Sequence, residues 1–146
     1  MSDAALRSNA DVVGKVAGDL LGRRLEHAVL LNRDRVRGMC KAIGTRAPDD
    51  IEYVPKVLLE SLAHVLSDLL RAKFDPRIAI EIDARMKTSE FGERHTPLSL
   101  VSVCGRLDRY DAGPQLFHFR YEVVDAVDHE VFVTGTLTLA CSVSEM

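Results

Sequence analysis

Between Val54 and Phe74 apolar residues predominate, and five of the polar ones fall into line. Val54, Val57, Leu58, Leu59, Leu62, Ala63, Val65, Leu66, Leu69 and Leu70 supply the apolar surface, while Lys56, Glu60, His64, Ser67 and Arg71 share one narrow face of a helical wheel. The spacing predicts one long helix over "YVPKVLLESLAHVLSDLLRAKF", with Pro55 near its start and Asp75-Pro76 beyond its end. A helix on a two-layer surface buries roughly a third to a half of its circumference. This one needs cover on most sides, so the pattern predicts an element that wraps it.

The second half of the chain has the period of strands. "IAIEIDARMK" alternates Ile78, Ile80, Ile82, Ala84 and Met86 with Glu81, Asp83, Arg85 and Lys87. "LSLVSVCGRLDRY" reads as the next strand and "DAGP" as a turn. "QLFHFRYEVV" alternates Phe117, Phe119, Tyr121 and Val123 with His118, Arg120 and Glu122. "AVDHE" then turns into "VFVTGTLTLACSV", where Thr134, Thr136 and Thr138 share a face. Short turns make the last three strands antiparallel. The stretch "KTSEFGERHTP" is longer than a hairpin needs, and Gly92 and Pro97 mark it as a loop.

Upstream, residues Asp3 to about Leu21 predict a first helix, weakened by Gly14 and Gly18. "RRLEHAVLLN" predicts a short strand. Asn32 is placed to cap a second helix that stops at Gly44, and "TRAPDD" reads as a loop. Helices followed by strands predict an α+β domain, with residues 1–146 as one unit and an N-terminal helical segment at about 3–20.

Composition narrows the function classes. A net charge of -3 with no basic run gives no footprint for nucleic acid, and no apolar run is long enough for a bilayer. The N-terminus lacks a signal-type apolar core, and Cys40, Cys104 and Cys141 are too few and too dispersed for a disulfide framework. These features suit a reducing cytoplasm. The five histidines show no metal-ligand spacing, so no metal is expected.

The long apolar helix followed by antiparallel strands resembles the hotdog fold, in which a curved antiparallel sheet wraps a central helix. The likeness runs from about Leu21 to the C-terminus. From Leu21 to Pro48, "LGRRLEHAVLLNRDRVRGMCKAIGTRAP" resembles the opening of MaoC-type hydratases and dehydratases. From Val54 onward, "VPKVLLESLAHVL" resembles the helix of hotdog thioesterases, including those of the phenylacetate pathway and those acting on fluoroacetyl-CoA. The resemblance implies an acyl-CoA or acyl-carrier-protein substrate. No separate cofactor is implied, because CoA or phosphopantetheine belongs to the substrate. It also implies a homodimer, or a heterodimer with another hotdog chain.

The departures from both patterns matter. Hydratases of this type carry an Asp after "AIG" and a His shortly after the Pro; here Thr45 and Asp50 stand nearby instead. A Thr hydroxyl is no general base near neutral pH. The thioesterase helix carries an acid where Glu60 falls, but Pro55 has no N–H to offer an oxyanion. The fluoroacetyl-CoA enzymes place a His on the strand after the helix. The matching segment here lacks one, and His95 lies several residues later.

Candidate chemistry therefore centres on Glu60 with His64 as its partner four residues on, and on Asp50 as a second carboxylate. Backbone amides of Tyr53 and Val54 are the expected oxyanion donors, with Thr45 and His95 as further substrate contacts. A solvated stripe with a Lys56–Glu60 pair is the plain alternative for the first set. Capping of the long helix is the alternative for Asp49, Asp50 and Glu52. Phosphates of CoA would meet surface arginines, among which Arg85, Arg94, Arg106 and Arg109 are candidates. Three functions follow as expectations: a thioesterase, a hydratase or dehydratase rebuilt around Asp50, and a catalytically silent acyl-binding or partner subunit.

Overall fold

The structure, a computed structural model, describes residues 3–92 and 94–144; for residues 3–10 and 144 it describes the backbone alone. The order is α1 (Asp3–Leu20), β1 (Arg24–Leu30), α2 (Arg33–Ala42), α3 (Lys56–Leu62), α4 (Val65–Arg71), β2 (Ala79–Phe91), β3 (Leu100–Asp111), β4 (Leu116–Asp125) and β5 (Val131–Ser144). The five strands form one antiparallel sheet in the order β1-β3-β4-β5-β2. Among the described residues no helix is long and apolar enough to cross a membrane.

The helical rod is in two pieces where the sequence predicts one. At Ala63 and His64 the amide hydrogen bonds reach back three residues, to the carbonyls of Glu60 and Ser61, at 3.1 Å each. Such tight steps turn the chain by about 120° per residue against about 100° in an α-helix. The second piece is therefore rotated relative to the first. Lys56, Val57, His64, Asp68 and Arg71 are exposed, whereas Glu60 and Ser67 are half-buried on the flank of that stripe. Leu58, Leu59, Leu62, Ala63, Leu66 and Leu70 are all buried. Strands β1, β2, β3 and β5 and helix α2 all contact the rod, and its exposed stripe stays open.

Two strand glycines let the layers meet. A Cβ on Gly105 would stand 2.6 Å from Leu66 Cδ1, so α4 seats directly on the β3 backbone. This contact also defines the inner face of the sheet. Register then places Leu25, Gly105, Tyr121, Gly135 and Thr88 in one inward-facing row across all five strands. Strand β2 runs on to Phe91, so the first residues of the segment predicted as loop belong to the sheet. Thr88 simply continues the inward series of Ala84 and Met86. On the N-terminal side, Val13, Val16, Ala17 and Leu20 bury one face of α1, which packs against β5.

The acids before the rod do not cap it. Helix α3 begins at Lys56 with Pro55 as its N-cap and has no side-chain capping bond. Asp49, Asp50 and Glu52 are exposed, and they lie too early in the chain to reach that first turn.

Burial perturbs three acidic groups in one direction. Tyr110, Tyr121 and the Cys141 thiol are each pushed up by desolvation, Cys141 to about 11. Each stays neutral in the folded chain after it has begun to ionise in the unfolded one. Their contribution is complete below the unfolded values and is lost as pH rises through the folded values. The urea midpoint is expected to be lower at about pH 10 than at about pH 8, with a shallower fall in Cys141→Ala. Equal alkaline slopes in the two proteins would contradict this account.

Candidate functional site

The polar groups that meet under the rod come from three elements. Tyr121, on β4, is 3% exposed, and its ring lies across Gly135 of β5. A Cβ at Gly135 would stand 2.5 Å from Tyr121 Cε1 and 2.5 Å from the Lys87 carbonyl oxygen, so this position accepts only glycine without rearrangement. Passing over it, the Tyr121 hydroxyl reaches Thr88 Oγ1 on β2 at 3.2 Å. A buried phenol needs such a partner. Desolvation raises the Tyr121 phenol; the Thr88 hydrogen bond opposes this, and the nearby charge of Glu60 adds to it. Tyr121 is therefore a protonated donor at neutral pH, within the field of a carboxylate.

Glu60 supplies that carboxylate from the flank of α3. Among the described residues it has neither an ion pair nor a side-chain hydrogen bond. The Lys56 ammonium, its predicted partner, lies instead over the Phe91 ring, 5.2 Å from the centroid. At the start of α3, Leu58 N–H donates to the Pro55 carbonyl at 3.0 Å. The amides of Lys56 and Val57 make no hydrogen bond among the described residues, as the first turn of a helix leaves them.

Beside the entry to α3 the surface is aromatic. Tyr53 and His95 stack with ring centroids 5.1 Å apart and planes at 29°. They meet because Tyr53 and Pro97 form a β-bridge that draws the β2–β3 connection against the entry to α3. Tyr53 and Val57 are 51% and 47% exposed, an apolar lip beside the free amides. Among the described residues no group of three or more His, Cys, Asp or Glu converges on a metal position.

No family model matches the sequence, and no curated protein matches it. Solved structures do match. A variant of the fluoroacetyl-CoA-specific thioesterase FlK, in complex with fluoroacetate and CoA, superposes with a TM-score of 0.60 at 15% identity, over 83% of this chain and 93% of that one. The (R)-hydratase of A. caviae involved in PHA biosynthesis gives 0.56 at 13%, over 82% and 94%. A hot-dog-like protein from Thermanaerovibrio acidaminovorans gives 0.60 at 12%, over 87% of each chain. This chain has the hotdog fold.

Within the hotdog frame the sequence-nominated residues separate. Glu60 lies near enough to Tyr121 for its charge to raise the phenol, while Tyr53 and His95 come together beside the entry to α3. His64 is exposed and makes no hydrogen bond to Glu60 among the described residues, because the tight joint winds it past the position an unbroken helix would give. Val54 is not a free donor, since its N–H already bonds the Thr96 carbonyl at 2.8 Å. Asp50 has a side chain 78% exposed and reaches Arg33 at 4.0 Å. Thr45 is also exposed, and its N–H bonds the Cys40 carbonyl at 2.9 Å.

Sequence reasoning passed over Tyr121, Thr88 and Gly135. A tyrosine in an alternating apolar series reads as core. The available signal was the glycine between Thr134 and Thr136, which marks a close approach inside a strand. Gly135→Ala is expected to destabilise the protein by about 1–3 kcal/mol or more, and by more than Gly105→Ala. The obstacle at Gly135 is a backbone carbonyl, whereas at Gly105 it is the end of a leucine. Urea denaturation of both variants would show it, and the opposite ranking would refute the assignment of Gly135 as the seat of Tyr121.

Proposed function

We propose that this hotdog protein processes acyl thioesters and that its reaction is their hydrolysis at Glu60. The observation that carries the reading is a half-buried carboxylate with no partner among the described residues, flanked by a buried phenol and by a helix start with two free amides. That set matches what hydrolysis requires. Glu60 takes a proton from water as the water oxygen bonds to the thioester carbon. The carbonyl oxygen becomes an oxyanion and accepts from the Lys56 and Val57 amides. Collapse breaks the C–S bond, and the proton returns from Glu60 to sulfur, leaving a carboxylic acid and a free thiol. Tyr121, held by Thr88, is a further donor beside the reacting carbon.

Two similar structures support this substrate class, one named as a fluoroacetyl-CoA thioesterase and the other as an (R)-hydratase. A hydratase centred on Asp50 has less support in the chain, because Asp50 is solvated and beside Arg33. The free edge of β2, thirteen residues long, supports pairing with a second hotdog chain, since an open edge of that length invites association. In such a dimer, outward-facing His64 and His95 would be residues for the second chain to cover.

The deciding experiment is thiol release from a panel of acyl-CoA and acyl-carrier-protein thioesters. Glu60→Gln is expected to lower kcat by about 10²–10⁴ while an acyl-CoA still raises the melting temperature. Wild-type turnover in Glu60→Gln would remove Glu60 as the base and with it the proposed site. A wild type that is stabilised by acyl-CoA but turns over none of the panel would instead establish the silent binding subunit. Enoyl-CoA hydration lost in Asp50→Asn and retained in Glu60→Gln would establish the hydratase.

A further inference from the structure

The outer face of the sheet carries a row of like charges that stability alone does not favour. One step along the strands from the inward row of Gly105 and Tyr121, register places Arg24, Arg106, Arg120, Thr136 and Lys87 side by side across β1, β3, β4, β5 and β2. All five are exposed. Like charges directly opposite on neighbouring strands repel, and here three guanidiniums stand on three successive strands of a chain whose net charge is -3.

Nearby acids hold part of the row. Arg24 lies 3.9 Å from both Glu26 and Glu122, and Arg120 pairs with Asp108. Arg24 also donates to Cys104 Sγ at 2.9 Å. These contacts orient two guanidiniums and leave N–H donors over, because each guanidinium has five. Arg106 has no carboxylate partner among the described residues. A cavity of about 420 Å³ opens on this row, floored by the backbones of Gly105 and Gly135 and edged by the hydroxyls of Ser89, Thr134 and Thr136. Glu122 is the one acid in its lining. The volume lies within the range of small-molecule pockets.

We propose that this outer-face cavity binds the phosphate or diphosphate group of a small molecule. Three guanidiniums and three hydroxyls provide more donors than the two oxygens of a carboxylate can use, and they suit the several oxygens and higher charge of a phosphate. A rule of strand pairing is broken where a site would need it broken. The cavity lies on the opposite face of the sheet from Glu60, so the inference does not rest on the hydrolase reading. Two sources share this chemistry: a free phosphorylated metabolite, and the nucleotide end of CoA.

Arg106 is the residue to test, since it is exposed and has no carboxylate partner among the described residues, so Arg106→Glu removes none of the ion pairs named above. Binding by titration calorimetry and melting-temperature shift would be measured with inorganic pyrophosphate, CoA, dephospho-CoA and pantetheine. The expected result is that pyrophosphate or the CoA compounds bind the wild type and that Arg106→Glu weakens them about tenfold or more, with pantetheine unaffected. Affinity should also fall as salt rises. Pyrophosphate binding without a change in CoA affinity would identify a free phosphorylated ligand; loss confined to CoA and dephospho-CoA would identify the nucleotide end of CoA. The proposal is overturned if none of the phosphorylated probes binds, or if Arg106→Glu binds them as tightly as the wild type. Arg106→Gln, which keeps a polar chain without the charge, should give an intermediate loss and guards against a folding defect in the charge reversal.

Discussion

Leu66 rests on a stretch of β3 that has no side chain beneath it, and the whole inner layer is built around that contact. Because Gly105 leaves the backbone bare, the helical rod sits close enough to the sheet for Leu58, Leu62 and Leu70 to be enclosed as well. Protein interiors are packed to crystal-like density, so a close seat at one point sets the height of neighbouring side chains. Tyr121 stands opposite Gly105 in the β3–β4 register, and Gly135 stands opposite Tyr121 in the next pair. With glycine on both sides, a large ring fits in a row that must also admit the rod.

The polar cluster follows from this packing. A phenol buried to this degree would be costly without a hydrogen bond, and the strand position that it reaches beyond Gly135 holds Thr88. Glu60 comes into the same region because it lies on the flank of α3 and not on its solvent stripe. The broken rod contributes to that placement. The tight turn at Ala63 and His64 keeps both halves in contact with the sheet while sending His64 outward and Ser67 inward, where its hydroxyl is buried with no hydrogen-bond partner among the described residues.

Antiparallel pairing links the two faces of the sheet. Successive residues of a strand point to opposite sides, so the register that aligns Gly105, Tyr121, Gly135 and Thr88 inward also aligns Arg106, Arg120, Thr136 and Lys87 outward. One set of strand pairings therefore organises a nearly neutral, desolvated cluster on one side and a cationic, hydrated row on the other. Any slip of register by one residue would exchange the two sets and bury the guanidiniums, which is why the pairing is strongly specified.

The sequence by itself determined the α+β class, the antiparallel strands with their hairpin turns, the apolar rod and the need for a wrapper, because each depends on local periodicity and on turn residues. Asn32 as a helix cap was legible for the same reason, and the structure shows its side chain accepting from the Arg35 amide at 2.8 Å. Glu60 stood out because it is the acid on the polar line that Lys56, His64, Ser67 and Arg71 share along a largely apolar rod. Its surroundings were not legible. Tyr121, Thr88 and Gly135 lie far from Glu60 in the chain, and their meeting depends on which strand pairs with which and in what register. The same holds for Arg24, Arg106 and Arg120, scattered along the sequence and gathered only by pairing. Tertiary structure also decided that Val54 gives its amide to Thr96 and that Asp50 faces solvent, since a backbone donor or a loop carboxylate finds its partner through the path of the chain in space and not through its own neighbours.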